Sequence, residues 1–189
     1  MLLAHYLYSK LEGMFGFGSW GRLAIIKFPA KIMGRKYVFV GDHVFIAERS
    51  FISMVEADSS LRAAPKLVIG DRTRIGFDLH ISCMGNVTIE SDVMISGRVF
   101  IGDCEHGYKD ITKPIVNQPM EHKGDVLIRS ESFIGVNACV MPGITIGKHA
   151  VIGASAVVTK SVPDYCIAVG NPAKVIAKYS EESEKWEKI

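Results

Sequence analysis

From Val126 onward the aliphatic positions recur at a fixed interval. Ile128, Ile134, Val140, Ile146, Ile152 and Val158 lie six residues apart without a break. Glycine follows three of them, at Gly135, Gly147 and Gly153. Four places after each comes a small or β-branched residue: Ser132, Ala138, Ile144, Ala150, Ala156 and Val162. The same spacing sets Val40, Ile46 and Ile52, then Ile69, Ile75 and Ile81, then Ile89, Ile95 and Ile101. A helix would carry such a period around all its faces. Six is a multiple of the strand period, so each marked aliphatic can point to one side of an extended segment. A short strand and a tight corner use six residues, with the glycine relaxing the corner and the small residue fitting where the walls converge. Three such sides close a triangular coil. The next coil stacks about 4.8 Å above it as a parallel sheet. The pattern predicts an all-β solenoid, each coil burying its neighbours' aliphatic edge. An ordinary sandwich would not hold this register.

The repeat is most informative where it fails. Ile52 to Ile69 spans 17 residues, so EADSSLRAAPK is a loop or an inserted side. Ile81 to Ile89 spans eight, a two-residue corner insertion around Met84-Gly85-Asn86. The large break is the 27 residues from Ile101 to Ile128, which predicts an excursion loop over 107–127. Pro114 and Pro119 forbid a long regular element there, and an excursion of this size is functional or mobile. At the start, Leu2, Leu3, Tyr6, Leu7 and Leu11 lie at helical spacing and predict a short amphipathic helix. At the end, Ser180 as N-cap with acids behind it predicts another. The chain so divides into an N-terminal helical and capping segment (1–37), a repeat domain (38–177) and a C-terminal helix (178–189).

Composition fits strands and corners. There are 21 Ile and 18 Val against 9 Leu, with 18 Gly. With 48% hydrophobic and 22% charged residues, disorder is excluded. A net charge of +2 gives no ground for a nucleic-acid partner. No apolar run reaches the ~18–20 residues of a membrane span, and MLLAHYLYSKLEGMF lacks the parts of a signal peptide. Cys83, Cys104, Cys139 and Cys166 make no CxxC pair, so reduced thiols in a cytoplasmic protein are expected. Between Glu12 and Asp42 stand Arg22, Lys27, Lys31, Arg35 and Lys36 but no acid. With Trp20 this stretch can touch an anionic membrane, although capping the open end of the solenoid is the favoured reading.

The stretch MPGITIGKHAVIGASAVVTKSVPDYCIAVGNPAKVI resembles the C-terminal signature of the hexapeptide-repeat acyltransferases. The resemblance covers about residues 38–177 and is closest to the galactoside, maltose and polysaccharide O-acetyltransferases. It implies a left-handed parallel β-helix, usually assembled as a trimer. The handedness comes from the resemblance alone, since the general crossover preference is right-handed. It also implies an acetyl-CoA-dependent O-acetyltransferase acting on a sugar or cell-surface polysaccharide precursor, without a metal.

His106, in RVFIGDCEHGYKD, ends the last regular segment before the excursion and resembles the family's catalytic histidine, with a His-Gly-Tyr found in polysaccharide members. A hydroxyl attacks a thioester poorly unless a base takes its proton. An imidazole suits this near neutral pH and can return the proton to the departing thiolate. Asp103 and Glu105 are near enough in sequence to orient the ring. With Asp78, His80 and Tyr108 they are the acceptor-side candidates. Close approach of the CoA arm to the backbone favours small residues, which Gly135, Gly153 and Ala154 supply, and by the resemblance Val136 and Ala154 occupy positions whose backbone groups contact CoA. Thr159 and Lys160 match the Thr-Lys at its adenosine end. Lys174, after the Asn171-Pro172 turn, is a second cation for a CoA phosphate.

Other readings compete. Cys104 raises a Cys–His covalent mechanism, for which local spacing gives no support. His43 and His149 recur at equivalent outward places and read as solvated. His5 has no indicated partner, and His122, inside the excursion, can contact substrate, although loop histidines are usually without a role. A γ-type carbonic anhydrase needs converging histidines, two of them five residues apart, but the next after His106 is His122. A non-catalytic scaffold would not need the CoA signature, and a serine acetyltransferase would carry a large helical N-terminal domain. The alternative on the same scaffold is an amino-sugar N-acetyltransferase. Because one solenoid offers one wall of a CoA groove, a homotrimer with sites at its interfaces is expected.

Overall fold

A computed structural model describes residues 16–56 and 64–189. The helix expected over residues 2–12 lies outside them. The chain visits three parallel sheets in strict rotation. The first sheet holds Ser19–Trp20, Val38–Val40, Lys66–Ile69, Asn86–Ile89, Val126–Ile128 and Thr145–Ile146. The second runs from Ile25–Ile26 through Phe45–Ile46, Arg74–Ile75, Met94–Ile95, Phe133–Ile134 and Val151–Ile152 to Cys166–Val169. The third holds Lys31–Met33, Phe51–Met54, His80–Cys83, Phe100–Gly102, Cys139–Val140 and Val157–Val158.

The six-residue aliphatics meet in register, as the sequence pattern requires. Val40, Ile69, Ile89, Ile128 and Ile146 are successive partners on the first sheet. Ile46, Ile75, Ile95, Ile134 and Ile152 are so on the second. Ile52, Ile81, Ile101, Val140 and Val158 are so on the third. All fifteen side chains are buried.

Two of the three corners are built alike from the second coil onward. One stacks His43, Arg72, Asp92, Glu131, His149 and Tyr165; the other stacks Arg49, Asp78, Arg98, Asn137 and Ser155. All have positive φ between 53° and 64°. Each donates its N–H to the carbonyl of the preceding coil's corner, as Arg72 to Asp42, Asp92 to Asp71 and Arg98 to Phe77. Non-glycine residues enter the left-handed region at a cost, which the repeated bond offsets. The glycines therefore do something other than relax φ. A Cβ on Gly70 would stand 2.5 Å from the Ser91 nitrogen, and one on Gly135 2.6 Å from that of Ala154. They permit close approach between coils.

Three expectations are corrected. The wall starts at Ser19, not at residue 38: Trp20, Ile26 and Ile32 pair with Val40, Ile46 and Ile52. The stretch read as a cap is thus an additional coil. Its bases Arg22, Lys27 and Lys36 pair with Asp42, Glu48 and Glu56. The C-terminal segment is not a helix. Lys174–Ser180 and Lys185–Lys188 form an antiparallel hairpin on the second sheet. A helix of ten residues is marginal alone, whereas the sheet edge offers backbone partners and Tyr179 meets Trp186 edge-on at 5.6 Å. Ser180 caps the hairpin turn, accepting from the Ser183 N–H at 3.3 Å. Lastly, the excursion leaves at Asp103 rather than residue 107 and rejoins the first sheet at Val126.

Ile89 sits mid-ladder with no exposed surface. Ile89→Ala is expected to destabilise the fold by about 2–5 kcal/mol, the usual range for such a truncation, seen as a lower urea midpoint. A change below 0.5 kcal/mol would show that the ladder is not the core.

Candidate active site

Every departure from the six-residue count falls at the third corner, between the third sheet and the first. The extra residues lie at 34–37, between Met54 and Lys66, at 84–85 and at 103–125. The longest is an arm. Its outgoing strand Cys104–His106 pairs antiparallel with its returning strand Met120–His122, with His106 opposite Met120. Beyond them the tip is held by its own polar groups. Gln118 Nε2 donates to the carbonyls of Asp110 and Lys113, and Asp110 accepts from the Thr112 hydroxyl at 2.6 Å.

His106 stands exposed on the outgoing strand. Among the described residues no hydrogen bond or ion pair reaches its ring, so no described carboxylate orients it. Asp103 cannot do so and does not face substrate: it is fully buried, and its two oxygens accept from the Met84 and Gly85 N–H groups at 2.7 Å each. Glu105 lies opposite Glu121, which is bound by Lys123 at 2.6 Å. Tyr108 is exposed, with the Lys123 ammonium 5.5 Å from its ring centroid.

The remaining candidates border the outer face of the third sheet. His80 stands there between Phe51 and Phe100, with ring centroids at 5.0 and 5.4 Å. Burial lowers its pKa, which favours the neutral imidazole at pH 7. Asp78 is at the far edge of this sheet, engaged by Arg49 at 2.8 and 3.1 Å. Arg49 holds its carboxyl below the usual range, so it serves the corner rather than an acceptor. Gly135, Val136, Gly153 and Ala154 lie at that same edge, and Ser155 N–H bonds the Val136 carbonyl. The chain through Asn171 and Pro172 crosses above Val157, whose N–H donates to Gly170. Lys174 is exposed next to it. Thr159 and Lys160 are exposed at the near, arm-bearing edge of the last full coil. One face therefore carries the proposed donor residues at both edges and the arm with His106 at one.

Cys104 is not poised as a nucleophile. It is buried, its Sγ lies 3.3 Å from the Ser82 hydroxyl, and burial pushes its pKa up to about 11. No three histidines converge among the described residues; the one mixed cluster is Asp103, His122 and Asp125. His122, which the sequence offers as a loop contact to substrate, has its Nε2 2.9 Å from Asp125 and 3.9 Å from Asp103. The His-Lys-Gly-Asp run, with Asp125 three residues on, was the available signal.

A family model for the bacterial transferase hexapeptide (six repeats) matches residues 125–160. WbbJ of Escherichia coli K12, assigned as a lipopolysaccharide biosynthesis O-acetyl transferase, is 31% identical over 170 residues, covering 87% of this chain and 83% of that protein. The chain belongs to the hexapeptide-repeat acetyltransferases. Membership in this family makes it an acyltransferase. Among solved structures, the N-acyltransferase AntD from Bacillus cereus, in complex with dTDP and 3-hydroxybutyryl-CoA, superposes with a TM-score of 0.75 at 21% identity, over 93% of this chain and 90% of that one. A Vibrio cholerae hexapeptide-repeat acetyltransferase complexed with acetyl-coenzyme A gives 0.65 at 18% identity, over 95% and 84%. At these identities the likeness is one of fold. No helix among the described residues is long and apolar enough to cross a membrane.

Cys104→Ser in this acetyltransferase is expected to keep most of its acetyl transfer, because a buried protonated thiol takes no part. A folded but inactive Cys104→Ser protein would restore the covalent route.

Proposed function

We propose that this acetyltransferase moves the acetyl group of acetyl-CoA to a hydroxyl of a sugar or a cell-surface polysaccharide precursor, with His106 as general base. The observation that carries this is the placement of His106: exposed, without a partner among the described residues, and at the edge of the face that the donor candidates border. In this reading the imidazole takes the hydroxyl proton as the oxygen attacks the thioester carbonyl. The C–S bond then breaks and the proton passes to the CoA sulfur. The donor runs along the outer face of the third sheet, with Thr159, Lys160 and Lys174 meeting its phosphates. Close approach at Gly135 and Gly153 admits its pantetheine arm. Likeness to WbbJ supports the oxygen acceptor and the polysaccharide setting; AntD's name supports the alternative of an amino sugar. A cytoplasmic location would give access to acetyl-CoA.

The proposal includes a left-handed β-helix and a closed trimer. His106 faces open space on a single chain, so a neighbour's wall would complete the groove. Light scattering of an active preparation should give three times the chain mass; a monomer with full activity would contradict this.

Labelled acetyl-CoA offered to methyl glycosides of glucose, galactose and rhamnose, and to their amino counterparts, separates the two acceptors. On the best of these, His106→Ala should lower turnover by about 10²–10⁴, with acetyl-CoA affinity retained by calorimetry. Wild-type turnover in His106→Ala would refute the base.

A further inference from the structure

Both ends of the arm are fastened to one short segment, the two-residue insertion and the residue after it. Asp103, where the arm departs, binds the N–H groups of Met84 and Gly85. Asp125, where it returns, accepts from the Asn86 N–H and the Asn86 amide, at 3.0 Å each. Burial works against the Asp125 charge, but Asn86 and His122 outweigh it and hold its carboxyl below the usual range. His122 lies between the two acids, bonded to Asp125 and near Asp103. Its ring occupies the space a side chain at Gly85 would need: a Cβ there would collide with Nε2. A further bond, from Lys123 N–H to the Asp103 carbonyl at 2.8 Å, ties the two strands of the arm at the same level. In register, Cys104 opposes His122, and His106 is the next outward residue on that strand.

We infer that Asp103, His122 and Asp125, seated on the Met84-Gly85-Asn86 corner, form a latch that sets the position of His106. These are positioning residues. They touch neither donor nor acceptor, and act through the strand that bears the base. This inference rests on the proposed role of His106. The two-residue insertion gains a purpose from it: the corner is widened to expose two N–H groups to Asp103 and is bare at Gly85 to admit the imidazole. Sequence separation hid the arrangement, since Gly85 and His122 are 37 positions apart.

The test uses the full chain, labelled acetyl-CoA and the best methyl glycoside of the panel. His122→Ala and Gly85→Ala should each lower kcat at least tenfold, with acetyl-CoA Kd and acceptor KM within about threefold of wild type. His122→Gln, whose amide can reach Asp125 as Nε2 does, should recover most of the lost kcat. In a His106→Ala background, His122→Ala should have no further effect, because it acts only through His106. Additive losses in the double variant, or wild-type kcat in a folded His122→Ala protein, would overturn the latch. If instead His106→Ala itself turns over normally, the base assignment fails, and the two failures are told apart by that single variant. Should Gly85→Ala not fold, His122→Ala and its Gln rescue decide the matter alone.

Discussion

Each coil must lie in hydrogen-bonding register on the one before it, and that constraint governs everything else in the molecule. Parallel strands of two to four residues hold together only because the steps across two of the three corners keep the same count in every coil. A one-residue slip would turn the inward aliphatics outward. The two regular corners enforce the count. Their left-handed residues, from His43 to Tyr165 and from Arg49 to Ser155, each bind a carbonyl of the coil below. Extra residues there would break a bond in each stack. Insertions are therefore confined to the third corner, and the arm bearing His106 is the largest of them.

The legible part of the fold was the part this constraint acts upon. A period of six, buried in register, follows from Ile128 to Val158 without reference to distant partners. Legibility failed where another residue type met the same need. Trp20 stands in an aliphatic place, with Phe17 at 4.6 Å, so a coil beginning there looked like a basic cap. The C-terminal segment was misread for a related reason. Ser180 and the acids behind it are helix-start chemistry, but a Ser–Glu turn closes a hairpin equally well when a sheet edge is available.

Within the candidate site, the sequence offered a base candidate and small residues for the proposed donor path. It did not identify what holds them. Asp103 seemed suited to the ring of His106 because it is three residues away, yet alternation along the strand and departure from the wall send its carboxylate inward to Met84 and Gly85. The place of His122 was hidden because, apart from Asp125 three residues on, its neighbours Asp103 and Gly85 come from the start of the arm and from the coil below. Local spacing reports which side chains can share a face; it is silent on contacts made by chain reversal.

The surface charges divide in the same way. Arg22–Asp42, Arg49–Asp78 and Arg72–Asp92 bridge successive coils at the regular corners and are solvent-exposed, so each adds little beyond fixing its side chains. The buried Asp103 is different in kind. A carboxylate removed from water is tolerated only when its oxygens are satisfied, and two backbone N–H groups satisfy them. These donors come from a corner that no strand partner occupies. Losing Asp103 would leave those N–H groups buried and unpaired as well as freeing the arm. The rigid wall thus supplies the fixed donors, the arm supplies the acceptors, and the imidazole of His106 inherits its position from a contact it does not make.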